Sequence, residues 1–208
     1  MASSSSDSQG TLAGLTMWKW AEGASVQVSY YEDLSQLNIF QRQVARDIIK
    51  FHTKTIVNHT EMGKRQTVKL EDDKGYCHTW VHPNGLAVTV LTDQQYPMRV
   101  AYSLINEALK KWEERYPVAS SWQVQTKDCE MEFPEGKELF QQFKNPLEAD
   151  KICSIQGKLD EVKAQVIESM DEILRRGETL DALMEKSSEL NSTSEDFYRT
   201  AKRQNSCC

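Results

Sequence analysis

From Ile152 to Ala201 the chain steps through Ile152, Ile155, Leu159, Val162, Val166, Ser169, Ile173, Arg176, Leu180, Leu183, Ser187, Leu190, Ser194, Phe197 and Ala201 in alternating threes and fours. Eleven of these fifteen positions are apolar, and the residues between them are mostly charged or small and polar. A 3.5-residue period held for seven heptads predicts a coiled-coil seam rather than the wider stripe of a globular surface helix. Read as one helix at 1.5 Å per residue, the segment would be about 75 Å long, more than twice the width of a small domain.

Arg176 interrupts the track at its centre, with seven seam positions on either side. A guanidinium in an apolar seam costs several kcal/mol unless acceptors meet it there. Two readings follow. Arg176 grazes the surface of an ordinary amphipathic helix by snorkelling, or it marks the register of a bundle whose other helices supply glutamine or carboxylate acceptors. Two facing arginines disfavour a homodimer. Ser169, Ser187 and Ser194 are small seam residues that let more than two helices approach closely. Gly177, next in sequence, weakens a helix by roughly 1 kcal/mol against alanine.

The rest of the chain is large enough for one compact domain: 208 residues with 39% apolar content. A net charge of −6 gives no support for binding nucleic acid through an overall basic surface. Eighteen consecutive apolar residues occur nowhere, so neither a transmembrane helix nor a secretory signal is expected. Cysteines at 77, 129, 153, 207 and 208 form neither a disulfide framework nor a zinc pattern.

Residues 1–11 are small, polar and aperiodic and read as a disordered leader. Residues 12–20 and 25–31 are predicted strands. A helix follows from Phe40 to His59, capped by Ser35 or Asn38. Residues 65–72, 75–82 and 86–92 form a predicted meander, its second link carrying the hairpin dipeptide Asn84-Gly85. Tyr96–Tyr116 is a predicted helix with Pro97 in its first turn and Pro117 at its end. A short helix is expected over 135–144, and Asn145-Pro146 marks a hinge before the heptad segment. The fold class is α+β: one sheet with helices packed on it, then a long coiled-coil helix.

Catalytic signals are absent from this reading. His52, His59, His78 and His82 include no HExxH pair, and His78 and His82 share a strand face without further ligands. Cys77 and His78 face opposite sides of a strand and make no dyad. No phosphate loop or GxSxG elbow occurs. No metal, cofactor or small-molecule substrate is expected. The second strong feature is the end of the chain, Ser206-Cys207-Cys208, next to the basic run 199–203. Free thiols there have no packing role. They suit either lipidation, for which two chains anchor stably and one only marginally, or no modification at all.

An α/β unit, a heptad segment with one central arginine and a Cys-Cys end together resemble the longin-domain R-SNAREs, most closely the lipidated kind without a transmembrane segment. The strings IFQRQ (39–43), YPMRVAYSL (96–104), NPLEAD (145–150), ILRRGETLDAL (173–183) and FYRTAKRQNSCC (197–208) carry the likeness across roughly residues 12–208. The resemblance implies a leader at 1–11, a longin domain at 12–140 with a five-stranded antiparallel sheet, a linker at 141–150, a SNARE motif at 151–204 and a lipidated tail at 205–208. It makes Arg176 the central ionic layer and the other fourteen track residues core layers of a parallel bundle with three Q-SNARE helices (Qa, Qb and Qc). It implies palmitoylation at Cys207 and prenylation at Cys208, although the family pattern runs three residues further. It also implies a contact at Phe40 through which the domain folds back on its SNARE helix or shelters the lipid. Disassembly and tethering machinery would be further partners, on the cytoplasmic face of Golgi, endosomal or vacuolar membranes. A non-fusogenic coiled-coil adaptor with an α/β binding domain is the alternative.

Overall fold

The computed structural model describes residues 10–71, 74–117, 121–155 and 166–205, with backbone only at 201 and 203–205. Strands β1 (Leu12–Lys19), β2 (Val26–Glu32), β3 (Arg65–Lys69), β4 (Tyr76–Val81) and β5 (Leu86–Thr92) form an antiparallel sheet in the order β2-β1-β5-β4-β3. A sixth strand, β6 (Ile167–Ser169), pairs with β3 in parallel and comes from the heptad segment. The sheet therefore has six strands where five were expected. Three residues inside a helical period give no strand signal of their own.

Both faces of the sheet are covered, as the strand patterns require. Every residue of β5 is buried, which suits a central strand with helices on either side. Leu86, Val88 and Val90 join Leu15, Met17 and Val28 beneath α2 (Met98–Arg115) and α3 (Pro134–Gln142). Trp18 and Ala87 point to the opposite face, where Val57 of α1 (Ile39–His59) meets them. The Trp18 indole N–H donates to Thr89 Oγ1 at 3.0 Å, so this buried ring leaves no polar atom unpaired.

Local chemistry sets the boundaries. Of the two candidate caps for α1, Asn38 is used: its side chain accepts from the backbone N–H groups of Phe40 and Gln41, and Gln41 answers with a capping box. Pro97 caps α2 rather than opening its first turn, and the helix ends at Arg115, two residues before Pro117. Gly75 lies so close to the backbone of Thr92 that an added Cβ would sit 1.9 Å from the Thr92 carbonyl oxygen. No side chain fits at that link.

Both sheet edges are shielded. Along β2, the backbone N–H groups of Cys129 and Met131 donate to Gln27 and Val28 carbonyls at 2.9 and 2.7 Å. Along β3, β6 does the same work. An uncovered edge would present unpaired backbone groups to other chains. Beyond α3, residues expected as a linker are helical: α4 (Pro146–Ile155) packs on α2, with Ala149 and Cys153 inside the domain core.

His78 is fully buried in β4, its two ring nitrogens 3.1 Å from Thr67 Oγ1 and Thr92 Oγ1. Burial pushes its pKa down to about 4. A histidine in the unfolded chain takes up its proton below about 6.5. The unfolded state therefore binds the extra proton between these values, and stability falls as pH drops from about 6.5 toward 4, by up to about 3 kcal/mol. Urea unfolding of the His78→Gln variant should show a shallower loss across that window than the parent chain. Equal slopes for the two chains would remove His78 from the account.

Candidate functional site

In this conformation the heptad segment is not one helix. It runs as α4, β6, α5 (Met170–Ile173), α6 (Leu180–Glu185) and α7 (Ser192–Asn205), and the pieces after residue 166 wrap the α1 face of the domain. β6 starts the contact, with Thr67, Val68 and Lys69 opposite Ile167, Glu168 and Ser169. Gln66 donates through its side-chain amide to Glu168 at 2.7 Å. Ser169 then caps α5 in a capping box with Glu172. The Ser169 backbone N–H, ahead of its hydroxyl, holds the Glu172 carboxyl below its usual pKa.

The break between α5 and α6 falls at Arg176-Gly177. The Glu178 N–H donates to the Arg175 carbonyl at 2.9 Å, and Gly177 between them has φ +91°. Positive φ at the third residue is what a type II turn requires. Arg176 sits at the exposed tip, where its guanidinium costs nothing to hydrate. The turn is fastened to the domain by Glu178, which lies 2.8 Å from His59 Nε2. That hydrogen bond, ahead of the Arg175 N–H, keeps the Glu178 carboxyl below its usual pKa.

Apolar burial holds the middle of the contact. Met170, Ile173, Leu180, Met184 and Tyr198 are buried with Phe51, Ile56, Val68, Cys77 and Leu91 of the domain. At roughly 1.5–3 kcal/mol for each large side chain removed from water, this is the main favourable term. Polar pairs fix the register. Lys50 Nζ bridges Asp128 at 2.7 Å and Glu189 at 2.6 Å, and Lys54 Nζ reaches Glu189 at 2.7 Å. Desolvation works against the Lys50 charge, yet bonds to Asp128 and Glu189 raise its pKa overall. Asp47 accepts from both Asn191 Nδ2 and Ser194 Oγ at 2.8 Å. Tyr198 donates to Glu71, and Lys202 Nζ lies 3.7 Å from the same carboxylate.

The track residues are treated unequally. Ile173, Leu180 and Ser194 are buried, while Ile152, Leu183, Ser187 and Leu190 are half-buried. Ile155 is 86% exposed, Val166 79% and Phe197 52%; Ser169 and Arg176 are exposed as well. Ala201 lies in α7. Leu159, Val162, Cys207 and Cys208 lie outside the described residues. Among the described residues Phe40 takes no part in the fold-back contact: it is the second residue of α1 and is 85% exposed. The buried part of α1 is its C-terminal half, so Phe51 and Ile56 make the contact instead. Periodicity also missed Met170, Met184 and Tyr198. Their signal was present, because a pure coiled coil has no reason to carry large apolar side chains off its seam.

Two family models match the chain, Synaptobrevin over residues 151–207 and the regulated-SNARE-like Longin domain over residues 34–136. The VAMP-like protein YKT61 of Arabidopsis thaliana is 36% identical over 199 residues, covering 95% of this chain and 98% of that protein. The synaptobrevin homologue YKT6 of Yarrowia lipolytica is 34% identical over 184 residues, covering 88% and 91%. Its counterpart in Saccharomyces cerevisiae is 30% identical over the same length and coverage. Among the described residues no helix is long and apolar enough to cross a membrane.

An added Cβ at Gly177 meets nothing within 4 Å, so alanine there suffers only from its backbone angle. The Gly177→Ala variant should weaken the folded-back state by about 1–2 kcal/mol and favour a continuous helix by about 1 kcal/mol more. Limited trypsin cleavage after Arg175, Arg176 and Lys186 should accelerate about tenfold. An unchanged rate would show that the turn does not limit release of the segment.

Proposed function

The chain belongs to the YKT6-like synaptobrevins, longin-domain SNAREs that act in membrane fusion without enzymatic chemistry, and from that premise we propose that its domain holds its own SNARE motif inactive. As an R-SNARE of vesicle fusion it assembles with other SNAREs. In our reading those are one Qa, one Qb and one Qc helix, joined in a parallel four-helix bundle. Arg176 meets their acceptors at the central layer, and the track on either side of it forms the layers around it. Cys207 and Cys208 carry palmitoyl and prenyl chains, so zippering toward the C-terminus draws the bilayers together. Hydrophobic burial supplies the work.

One observation carries the inhibitory part. Ile173, Leu180 and Ser194 are seam residues, and all three are buried against the chain's own domain. A side chain enclosed there cannot also be enclosed by three partner helices. Assembly therefore draws on the released fraction, and the apparent affinity falls by that fraction. The apolar groove between α1 and α7, about 360 Å³ and lined by Leu34, Leu37, Val44, Ile48 and Phe197, is where we place a lipid chain in the closed state. We assign the protein to the cytoplasmic face of ER–Golgi, Golgi, endosomal, vacuolar or autophagosomal membranes, with tethering and disassembly machinery as further partners.

Glu189 separates the two states, because it lies off the seam yet is central to the closed contact. The Glu189→Lys variant places a third ammonium beside Lys50 and Lys54 and leaves every bundle layer intact. Loss of about 2 kcal/mol from the closed state raises the released fraction about 30-fold. Capture into an SDS-resistant complex by recombinant Qa, Qb and Qc motifs should accelerate accordingly, and adding Lys54→Glu, which leaves Lys50 paired with Asp128, should restore slow capture. Equal rates for parent and variant would end the inhibitory reading. Failure of both to bind every Q-SNARE set would end the R-SNARE reading itself.

A further inference from the structure

The family model for the SNARE motif begins at residue 151, but the physical boundary between domain and released segment lies further along. α4 belongs to the largest of the three buried clusters. Ala149 and Cys153 are buried there with Val100, Leu104, Phe140 and Phe143, on the face of the sheet opposite the wrapped segment. The Arg99 guanidinium grips Asp150 with two bonds, its Nε donating to Oδ1 at 2.9 Å. Among the described residues α4 packs on α2, while the wrapped segment packs on α1 and the other face of the sheet, so the two contacts are built from separate clusters.

The track splits along the same line. Ile152 is half-buried and borders a pocket that it shares with Cys153, Leu139 and Phe143, on the domain side of α4. Ile155, three residues on, faces away from the domain and is 86% exposed. A bundle layer needs neighbouring helices 8–10 Å away on the seam side. At Ile152 the domain already occupies that approach. We propose that α4 stays docked when the motif opens, so that Ile155 is the first layer this chain offers to its partners. The domain then remains fixed beside the membrane-distal end of the bundle, and Ile152 acts as a core residue of the domain. This rests on the R-SNARE reading, but its test uses no partner, so the two fail separately.

Native-state hydrogen exchange on the unmodified full chain is the first measurement. Amides of 149–155 should exchange within about tenfold of those in α2, and at least about 100-fold more slowly than those of 180–184. A full chain carrying Leu180→Asp and Met184→Asp releases the wrapped segment and provides the second. Iodoacetamide labelling, read peptide by peptide, should leave Cys153 protected while exchange across 170–198 becomes fast. If 149–155 instead exchange together with 180–184, or Cys153 labels at the rate of an exposed thiol while α2 stays protected, α4 leaves with the segment and the proposal fails. Should the double variant unfold, the exchange pattern of the unmodified chain decides alone.

Discussion

A single apolar stripe can be buried only once at a time, and the organisation of this protein turns on that limit. Its own domain covers the stripe incompletely, enclosing Ile173, Leu180 and Ser194 but leaving Leu183 and Leu190 half-covered and Val166 and Phe197 largely exposed. A four-helix bundle would enclose each of these layers fully. The folded-back state competes through its intramolecular character, since a tethered segment meets its site at high effective concentration. Under the proposed function, the balance would be set by partner supply. Off-seam groups such as Glu189 tune it without altering what the bundle sees.

Covering the β3 edge is a second service of the same contact. Once residues 167–169 leave, Thr67–Lys69 present open backbone groups beside a newly bare apolar surface around Val68 and Phe51. Such an edge invites pairing with other chains. A closed state stapled at several separate points, from Gln66–Glu168 through His59–Glu178 to Lys50–Glu189, limits how often that surface appears by partial fraying. Each staple is modest alone, and they are spread along the segment from Glu168 to Glu189.

Much of the domain was legible because its elements obey local rules. Alternation and the Asn84-Gly85 link mark the meander, and Asn38 and Pro117 bound the helices. The site was legible only in one of its two forms. A heptad track describes how the segment meets other helices and says nothing of how it lies on a sheet. Strand β6 was invisible because Ile167–Ser169 owe their extended backbone to the β3 edge, a tertiary partner absent from any local window. Of the two roles expected for Phe40, the fold-back contact is not made among the described residues. Its place in α1 was read correctly, but which half of that helix is overlaid depends on where the heptad segment lands. Met170, Met184 and Tyr198 were the residues that a search for off-seam apolar side chains would have found.

Arg176-Gly177 shows how one dipeptide serves both conformations. In a helix the pair is a double cost, a charge in the seam and a glycine beside it, each tolerable only if partner acceptors are present. In the turn both costs vanish, because glycine takes the positive φ freely and the guanidinium faces water. The helical form is thus handicapped at its midpoint until partners supply what Arg176 lacks. Segments on either side carry no such handicap, and the turn falls at the position we propose for the polar layer of the bundle. In the proposed bundle, acceptors from the partner helices would offset that cost by hydrogen bonding to the arginine, whereas an apolar surface that merely attracts the seam would leave it unmet. Under the proposed function, the same two residues that form the turn would also select what can open it.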